Sequence, residues 1–345
     1  MGLIDRWLRR KPSPSPQEPI SEAQAVPATW ANSPTHIAIL ERFLSVRDTK
    51  GGVPDFWGPV LGIHPERVVN GMLALGLLEP VSLPEKVEFC HTGAELKKML
   101  SLRGLKVSGK KAEQTRRLIE ADPDGMEKLC AQRKLARCTP SARQVVLEWQ
   151  AKQAEFFDKA TDEVISALDA RQFKAAINIA DVYRKSMFHP PVHPAQDAMT
   201  IKSAPRPIQE RAADLAAVFT MRPKILNGLT PEQWDGLYLS YAVWQLLGRA
   251  APDKCMPGFT GIGAMDSATV LRMLSFYIGY QRDLAQWREL GIKKGTILCC
   301  NSGSCDACMA LDKKRNSLDK LPELPYKDCT CALGCRCYVS PELGI

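Results

Sequence analysis

A mainly α-helical, multidomain chain is what this sequence predicts, and three observations carry the prediction. From Thr35 to about residue 290, apolar residues recur at three-to-four spacing, the period of an amphipathic helix. Glycine and proline cut that pattern into separate blocks. Eight of the twelve cysteines fall between Cys299 and Cys337, which sets off a small terminal module of different character. With 345 residues, 45% of them hydrophobic, the chain can fill several cores.

Residues 12–34 are rich in Pro, Ser, Gln and Ala and offer little apolar surface to offset ordering, so residues 1–34 are expected to form a disordered leader. In MGLIDRWLRRK the apolar residues precede the basic ones, the reverse of a secretory signal. No apolar run is long enough to span a membrane. A cytoplasmic location is therefore expected, with no membrane partner. Residues 35–89 read as one unit. Ile37, Leu40 and Leu44 share a helical face. A short helix then leads to a turn at Gly62-Ile63 and a second helix from Pro65, with Val68, Val69, Met72, Leu73 and Leu75 recurring at helical spacing and a stop at Gly76. This order resembles a helix-turn-helix or winged-helix unit. Its second helix carries Arg67 and little else for phosphate contact.

Residues 94–121 read AELKKMLSLRGLKVSGKKAEQTRRLIEA. Leu96, Met99 and Leu100 line one face of a helix that Gly104 ends, and Leu105 packs back. Ser108-Gly109 opens a second helix, with Ser108 as its expected cap and with Ala112, Leu118 and Ile119 facing inward. From Ala94 to Arg137 there are twelve Lys or Arg against six acids, a net +6 in a chain whose total is +8. Lys106, Lys110 and Lys111 gather at the N-terminus of the second helix, where free N–H groups and the helix dipole favour a phosphate. The segment resembles the SAP domain family, two-helix modules that bind DNA and sometimes RNA. The matching positions are Leu96-Lys97, Leu100, Gly104-Leu105, Gly109, Lys111 and Arg117-Leu118. Gln114 stands where the family usually has a core Leu, which implies a looser second helix or a side chain at the rim. For residues 90–137 the expected nucleic-acid contacts are Lys97, Lys98, Arg103, Lys106, Ser108, Gly109, Lys110, Lys111, Arg116 and Arg117, with weak sequence preference and strong salt dependence.

Residues 138–290 predict a helical domain, with helices over 141–168, 173–187, 207–222, 231–249 and 266–290. Trp234, Tyr238, Tyr241 and Trp244 form a stripe at helical spacing, read as core rather than as a platform for bases. Its surface is where protein partners would dock. His189 and His193 bracket Pro-Pro-Val, read as an exposed linker, and His36, His64 and His91 stand alone. No H-E-x-x-H, Walker A or G-x-S-x-G motif is present, so no catalytic residue is assigned.

Residues 291–345 form the cysteine-rich module. Cys305-x2-Cys308 is a metal knuckle, followed by Cys329-x-Cys331 and Cys335-x-Cys337. These six are the candidate ligands of a structural Zn2+, which four thiolates would close. In an extended Cys-x-Cys, neighbouring side chains point opposite ways, so the expected set is Cys305, Cys308 and one cysteine from each later pair. Cys299 and Cys300 are further candidates, although adjacent residues seldom both ligate one ion. The tail also resembles the C-terminal segment of phage head-morphogenesis (minor capsid) proteins. The shared features are the knuckle, a Leu-Asp-Gly-Lys-like turn at Leu311-Asp312-Lys313-Lys314, Leu321-Pro322-Glu323-Leu324-Pro325, and the closing Cys335-Arg336-Cys337. Ala332-Leu333-Gly334 replaces the family's His-Pro-Asn, and Cys329 and Cys331 are additional. The leading expectation is a DNA-binding protein with a zinc-stapled tail. The alternatives are a phage-derived head-morphogenesis or assembly protein and a nucleic-acid-processing enzyme.

Overall fold

The structure is a computed structural model that describes residues 25–192, 206–300 and 303–342. It is mainly helical, with a few short strands. Two compact units divide within one helix, at Gln153/Ala154; the first resumes at Phe188, and the second holds 154–187 and the chain after residue 205.

The first unit begins with α1 (Pro34–Arg42), whose proline occupies the first turn where no N–H is needed. Ile37, Ile39 and Leu40 enter a core shared with Val68, Val69 and Met72 of α3 (Pro65–Ala74). Between them lie β1 (Arg47–Asp48) and the short α2 (Gly58–Leu61). β2 (Leu78–Pro80) follows α3, and β3 (Leu135–Cys138) closes an antiparallel sheet of order β1-β3-β2. The register pairs Arg47 with Ala136 and Leu78 with Cys138.

Two expectations change here. Of the leader over 1–34, residues 1–24 lie outside the described residues, but Val26 is buried in this core and Trp30 packs against it. Those two side chains supply the apolar surface that the Pro/Ser/Gln run lacks. The segment expected as a separate domain over 90–137 ends in the central strand of the first sheet. Residues 81–134 are thus an insertion between β2 and β3.

That insertion is all helix: α4 (Leu83–Cys90), α5 (Gly93–Leu102), α6 (Lys111–Ala121) and α7 (Pro123–Cys130). It has its own core of Val87, Leu96, Leu100, Leu118, Met126 and Cys130. Capping boxes start α4 (Ser82 with Glu85) and α5 (Thr92 with Glu95). Arg137 on β3 pairs with Glu79 and Glu85, which links the insertion to the sheet.

α8 (Pro140–Asp169) is shared by the two units. The second unit continues with α9 (Phe173–Ser186), α10 (Ile208–Val218), α11 (Pro231–Leu247), the short α12 (Pro252–Cys255) and α13 (Ser267–Glu289). A small hairpin, β4 (Gly261–Ile262) with β5 (Met265–Asp266), precedes α13. The expected aromatic stripe is core: Trp234, Tyr238 and Tyr241 are buried and only Trp244 reaches the rim. Tyr238 stacks on Trp234 at 5.4 Å and donates its hydroxyl to the Met221 carbonyl at 2.8 Å, so its polar end is satisfied. The chain ends in a second sheet, β7 (Arg315–Ser317), β6 (Lys294–Leu298) and β8 (Tyr338–Pro341), in that order and antiparallel. Among the described residues, no helix is long and apolar enough to cross a membrane.

Candidate nucleic-acid interface and metal centre

α5 and α6 form the hairpin that the sequence predicts, and its turn is built by backbone geometry. α5 ends on Arg103, Gly104 takes φ +65°, and Leu105 and Gly104 return their N–H groups to the carbonyls of Leu100 (2.9 Å) and Ser101 (3.0 Å). This is a Schellman closure, with Leu105 folding onto the core. The start of α6 differs from expectation. Its cap is Lys110, without a side-chain hydrogen bond, while Ser108 offers its carbonyl to Arg117. Ala112, expected inside, is exposed, and Thr115 takes the inward position.

Gln114 lies neither at the rim nor loose. It is 2% exposed, and its Nε2 donates to the carbonyls of Val107 (2.9 Å) and Gly109 (3.0 Å). Where the resembled family has an apolar side chain, this chain ties the turn to α6 from below. The cost is a buried Oε1 without a partner.

The predicted cations fall into two groups. Arg103 pairs with Asp122 at 2.7 Å, a hydrogen bond that holds the Asp122 carboxyl below its ordinary range. Arg116 pairs with Glu120 at 3.7 Å, Lys111 donates to the Glu88 carbonyl, and Arg117 donates to Ser108 and Glu113 carbonyls. These four serve the fold. Lys97, Lys98, Lys106 and Lys110 are exposed and make no ion pair among the described residues. Glu113 folds its carboxylate close over Gly109, so the N-terminus of α6 already faces an anionic group. The lysines, more than the helix end, are free to attract a polyanion.

In the second unit the cysteines gather. The Sγ atoms of Cys305, Cys308, Cys329 and Cys331 all lie within 4.8 Å of one another, and so do those of Cys308, Cys335 and Cys337. All six predicted ligands are therefore brought together, but not as one cysteine from each later pair. Both members of each pair face the same group, because 329–337 is irregular, with a turn at Ala332-Leu333, and not a strand. A turn through Ala332-Leu333 closes with the Gly334 N–H on the Cys331 carbonyl at 2.8 Å. Gly334 has φ +71°, which strains any side chain, and a Cβ there would stand 2.7 Å from the Met273 sulfur of α13 and push that tip aside.

Backbone N–H groups point at the sulfurs. Tyr326 donates to Cys335 and Cys305 to Cys331, each at 3.2 Å, and Thr330 to Cys305 and Cys331 to Cys329, each at 3.4 Å. Burial raises the Cys305 thiol, yet the N–H groups of Thr330 and Cys308 outweigh it and bring it to about 6. The Cys337 thiol, with the Tyr326 N–H, brings Cys335 to about 6 as well. Burial lifts Cys308 to about 12 and also raises Cys329, while Cys337 rises beside ionised Cys335. Two thiols lowered this way favour a cation beside them, and a divalent cation would draw the protons off all six. Donor type, count and spacing all fit a metal ion held by sulfur alone.

Cys299, which the spacing alone left unassigned, joins this cluster. It is buried, with its Sγ 3.0 Å from that of Cys337. His193, at the proline-rich link, lies outside the described residues. Comparison of the chain with protein-family models, curated proteins and solved structures finds no match.

Proposed function

We propose that the chain binds nucleic acid, DNA foremost, through the α5–α6 hairpin, and that its cysteine module holds zinc as a structural element. The observation that carries this reading is the set of four exposed, unpaired lysines, Lys97, Lys98, Lys106 and Lys110, on an insertion with its own core. Their scaffold supports it. The element order helix, strand, two helices, strand, strand, with the last strand central, is that of a winged-helix unit. The insertion replaces the link between the last two strands, the wing. α3 exposes Glu66 and Ala74, half-exposes Arg67 as its one cation and carries no lysine, so most of the basic surface belongs to the insertion. Phosphate contact by four lysines gives affinity with little sequence preference.

The test is fluorescence anisotropy on a labelled duplex at two salt concentrations. Four phosphate contacts predict a slope of log K on log salt of about −3.6, roughly a hundredfold loss between 50 and 200 mM. Lys106→Ala with Lys110→Ala should shrink the slope by about 2. Lys111 is left intact because its ammonium ties α6 to α4. Absence of binding at low salt would sink this reading, and preference for single-stranded RNA would change the ligand. Metal-dependent cleavage of the duplex would move the protein to the enzyme class.

A second reading, a phage-derived head-morphogenesis or assembly protein, draws on the turn after the knuckle. Lys313 has φ +58°, a left-handed conformation, at the position where the resembled motif has glycine. Asp312 beside it accepts the Cys299 N–H at 2.9 Å, so the turn braces the cysteine cluster. Left-handed backbone costs a lysine about 1–2 kcal/mol, and glycine's extra chain entropy gives part of that back. Lys313→Gly should therefore raise stability by about 0.5–1 kcal/mol in denaturant melts. An unchanged or lower midpoint would mean that the turn is held by contacts of the lysine itself. Under this second reading the protein should also self-assemble without DNA, which light scattering would detect.

A further inference from the structure

We infer that the cysteine module binds two divalent metal ions, not one, with the Cys308 thiolate bridging them and Cys299 completing the second site. The inference rests on the metal reading above and deepens it.

The two thiol groups overlap in a single residue. Cys305, Cys308, Cys329 and Cys331 already supply the four donors of one tetrahedral ion. That leaves Cys335 and Cys337 gathered with Cys308 in a second group, one donor short of four. The β6–β8 ladder supplies the missing one. Its register pairs Ile297 with Val339 and Leu298 with Tyr338, so the next residues, Cys299 and Cys337, meet directly as the strands end. Their sulfurs stand 3.0 Å apart. Cys299 also lies against the knuckle itself, its Sγ 3.0 Å from the Cys308 carbonyl. Neither Cys299 nor its neighbour Cys300 lies within 4.8 Å of every sulfur of either group; Cys299 reaches the second group through Cys337 alone, and its sulfur moves inward when an ion is bound.

The spacings suit metal ligation. Four thiolates about 2.3 Å from one ion stand about 3.8 Å from each other along a tetrahedral edge. Cys305 to Cys329 and Cys308 to Cys335 are each 4.0 Å, one contact in each group. The Cys299–Cys337 contact, at 3.0 Å, is shorter than that edge, and it lies just beyond the ends of β6 and β8. A bridging thiolate uses two of its lone pairs, and two ions sharing it would lie about 3.5–4 Å apart. Cys308 suits the bridge because it is 1% exposed and sits on the short helix α14 (Asp306–Met309) between the two groups. Two divalent ions with seven thiolates leave a net charge of −3. The four N–H···S hydrogen bonds offset part of it.

The experiment is a count of metal per chain on the full-length protein, purified under reductant, followed by Co2+ titration of the metal-free chain. The expected results are two zinc ions per chain and two equivalents of Co2+ taken up with sulfur-to-cobalt absorption. Cobalt electron-paramagnetic signal should rise to one equivalent and then fall, because a shared thiolate couples the two spins. Cys299→Ser should lower the count to one. One ion per chain in the wild type overturns the inference and leaves a single zinc staple standing. Two ions with no loss of signal at the second equivalent overturn the bridge. No bound metal defeats both this inference and the metal reading. Iron with inorganic sulfide would replace both with an iron–sulfur cluster.

Discussion

Stripping the metal with a chelator, under reductant, should melt residues 294–342 while leaving the first unit folded. The apolar content of the module explains the size of the effect. Its three strands hold five, three and four residues, and its buried aliphatic side chains are Ile297, Leu318, Leu324 and Val339. Ordering a segment of this length costs about 1.5 kcal/mol per residue, far more than four aliphatic side chains return. Metal–thiolate bonds, under the proposed reading, make up the difference; structural zinc contributes on the order of 10 kcal/mol in small modules. Contacts with α13 add to it: Tyr280 donates its hydroxyl to the Pro322 carbonyl at 2.9 Å, and Gly334 seats against Met273. Hydrogen exchange is the measurement. The amides of Ile297 and Val339 should lose protection on chelation, and those of α1 and α3 should keep theirs. Full protection of Ile297 and Val339 in chain shown to be metal-free would mean that the thiols pack as ordinary core, with no staple.

The helices were legible because their signal is local. From α8 to α13 the apolar period places each long helix to within a few residues of where it lies, and the chain ends α10 early only because Phe219–Met221 turn before Pro223. The central strand β3 was not legible. Leu135-Ala136-Arg137-Cys138 is four residues with no β-branched side chain, and its partners lie about 58 and 88 positions away in the chain. Missing it made an insertion look like a neighbouring domain. The cysteine centre divides the same way. The Cys305–Cys308 knuckle is a spacing and can be read directly, whereas Cys299 reaches Cys337 only through strand register. Gln114 shows the third kind of limit. A buried amide reads as a misfit until the Val107 and Gly109 carbonyls that it satisfies are in view.

Leu118→Ala should unfold the insertion, and with it abolish the DNA binding proposed for the hairpin, without unfolding the rest of the first unit. Leu118 is fully buried on α6, in a core of six side chains that is separate from the one under α1 and α3. Loss of a buried leucine costs about 2–5 kcal/mol. A helical piece of roughly 50 residues is stable by only about 2–7 kcal/mol. The Thr115 hydroxyl and Gln114 Oε1, buried without partners, lower the stability of the insertion within that range. One substitution therefore matches its whole stability. The β1-β3-β2 sheet should survive, since long loops between paired strands add little closure cost. Amide exchange should show α6 unprotected and α3 still protected, with anisotropy on duplex DNA reduced to background. Lys106→Ala with Lys110→Ala should give the reverse pattern, weak binding with α6 fully protected, because those side chains touch no core. If Leu118→Ala instead exposes α3 and α6 together, the insertion and its scaffold fold as one cooperative body, and its separate core does not make it a separate folding unit. If it unfolds α6 and leaves the DNA affinity intact, the lysines bind as an unstructured basic segment, and the hairpin geometry contributes nothing to recognition.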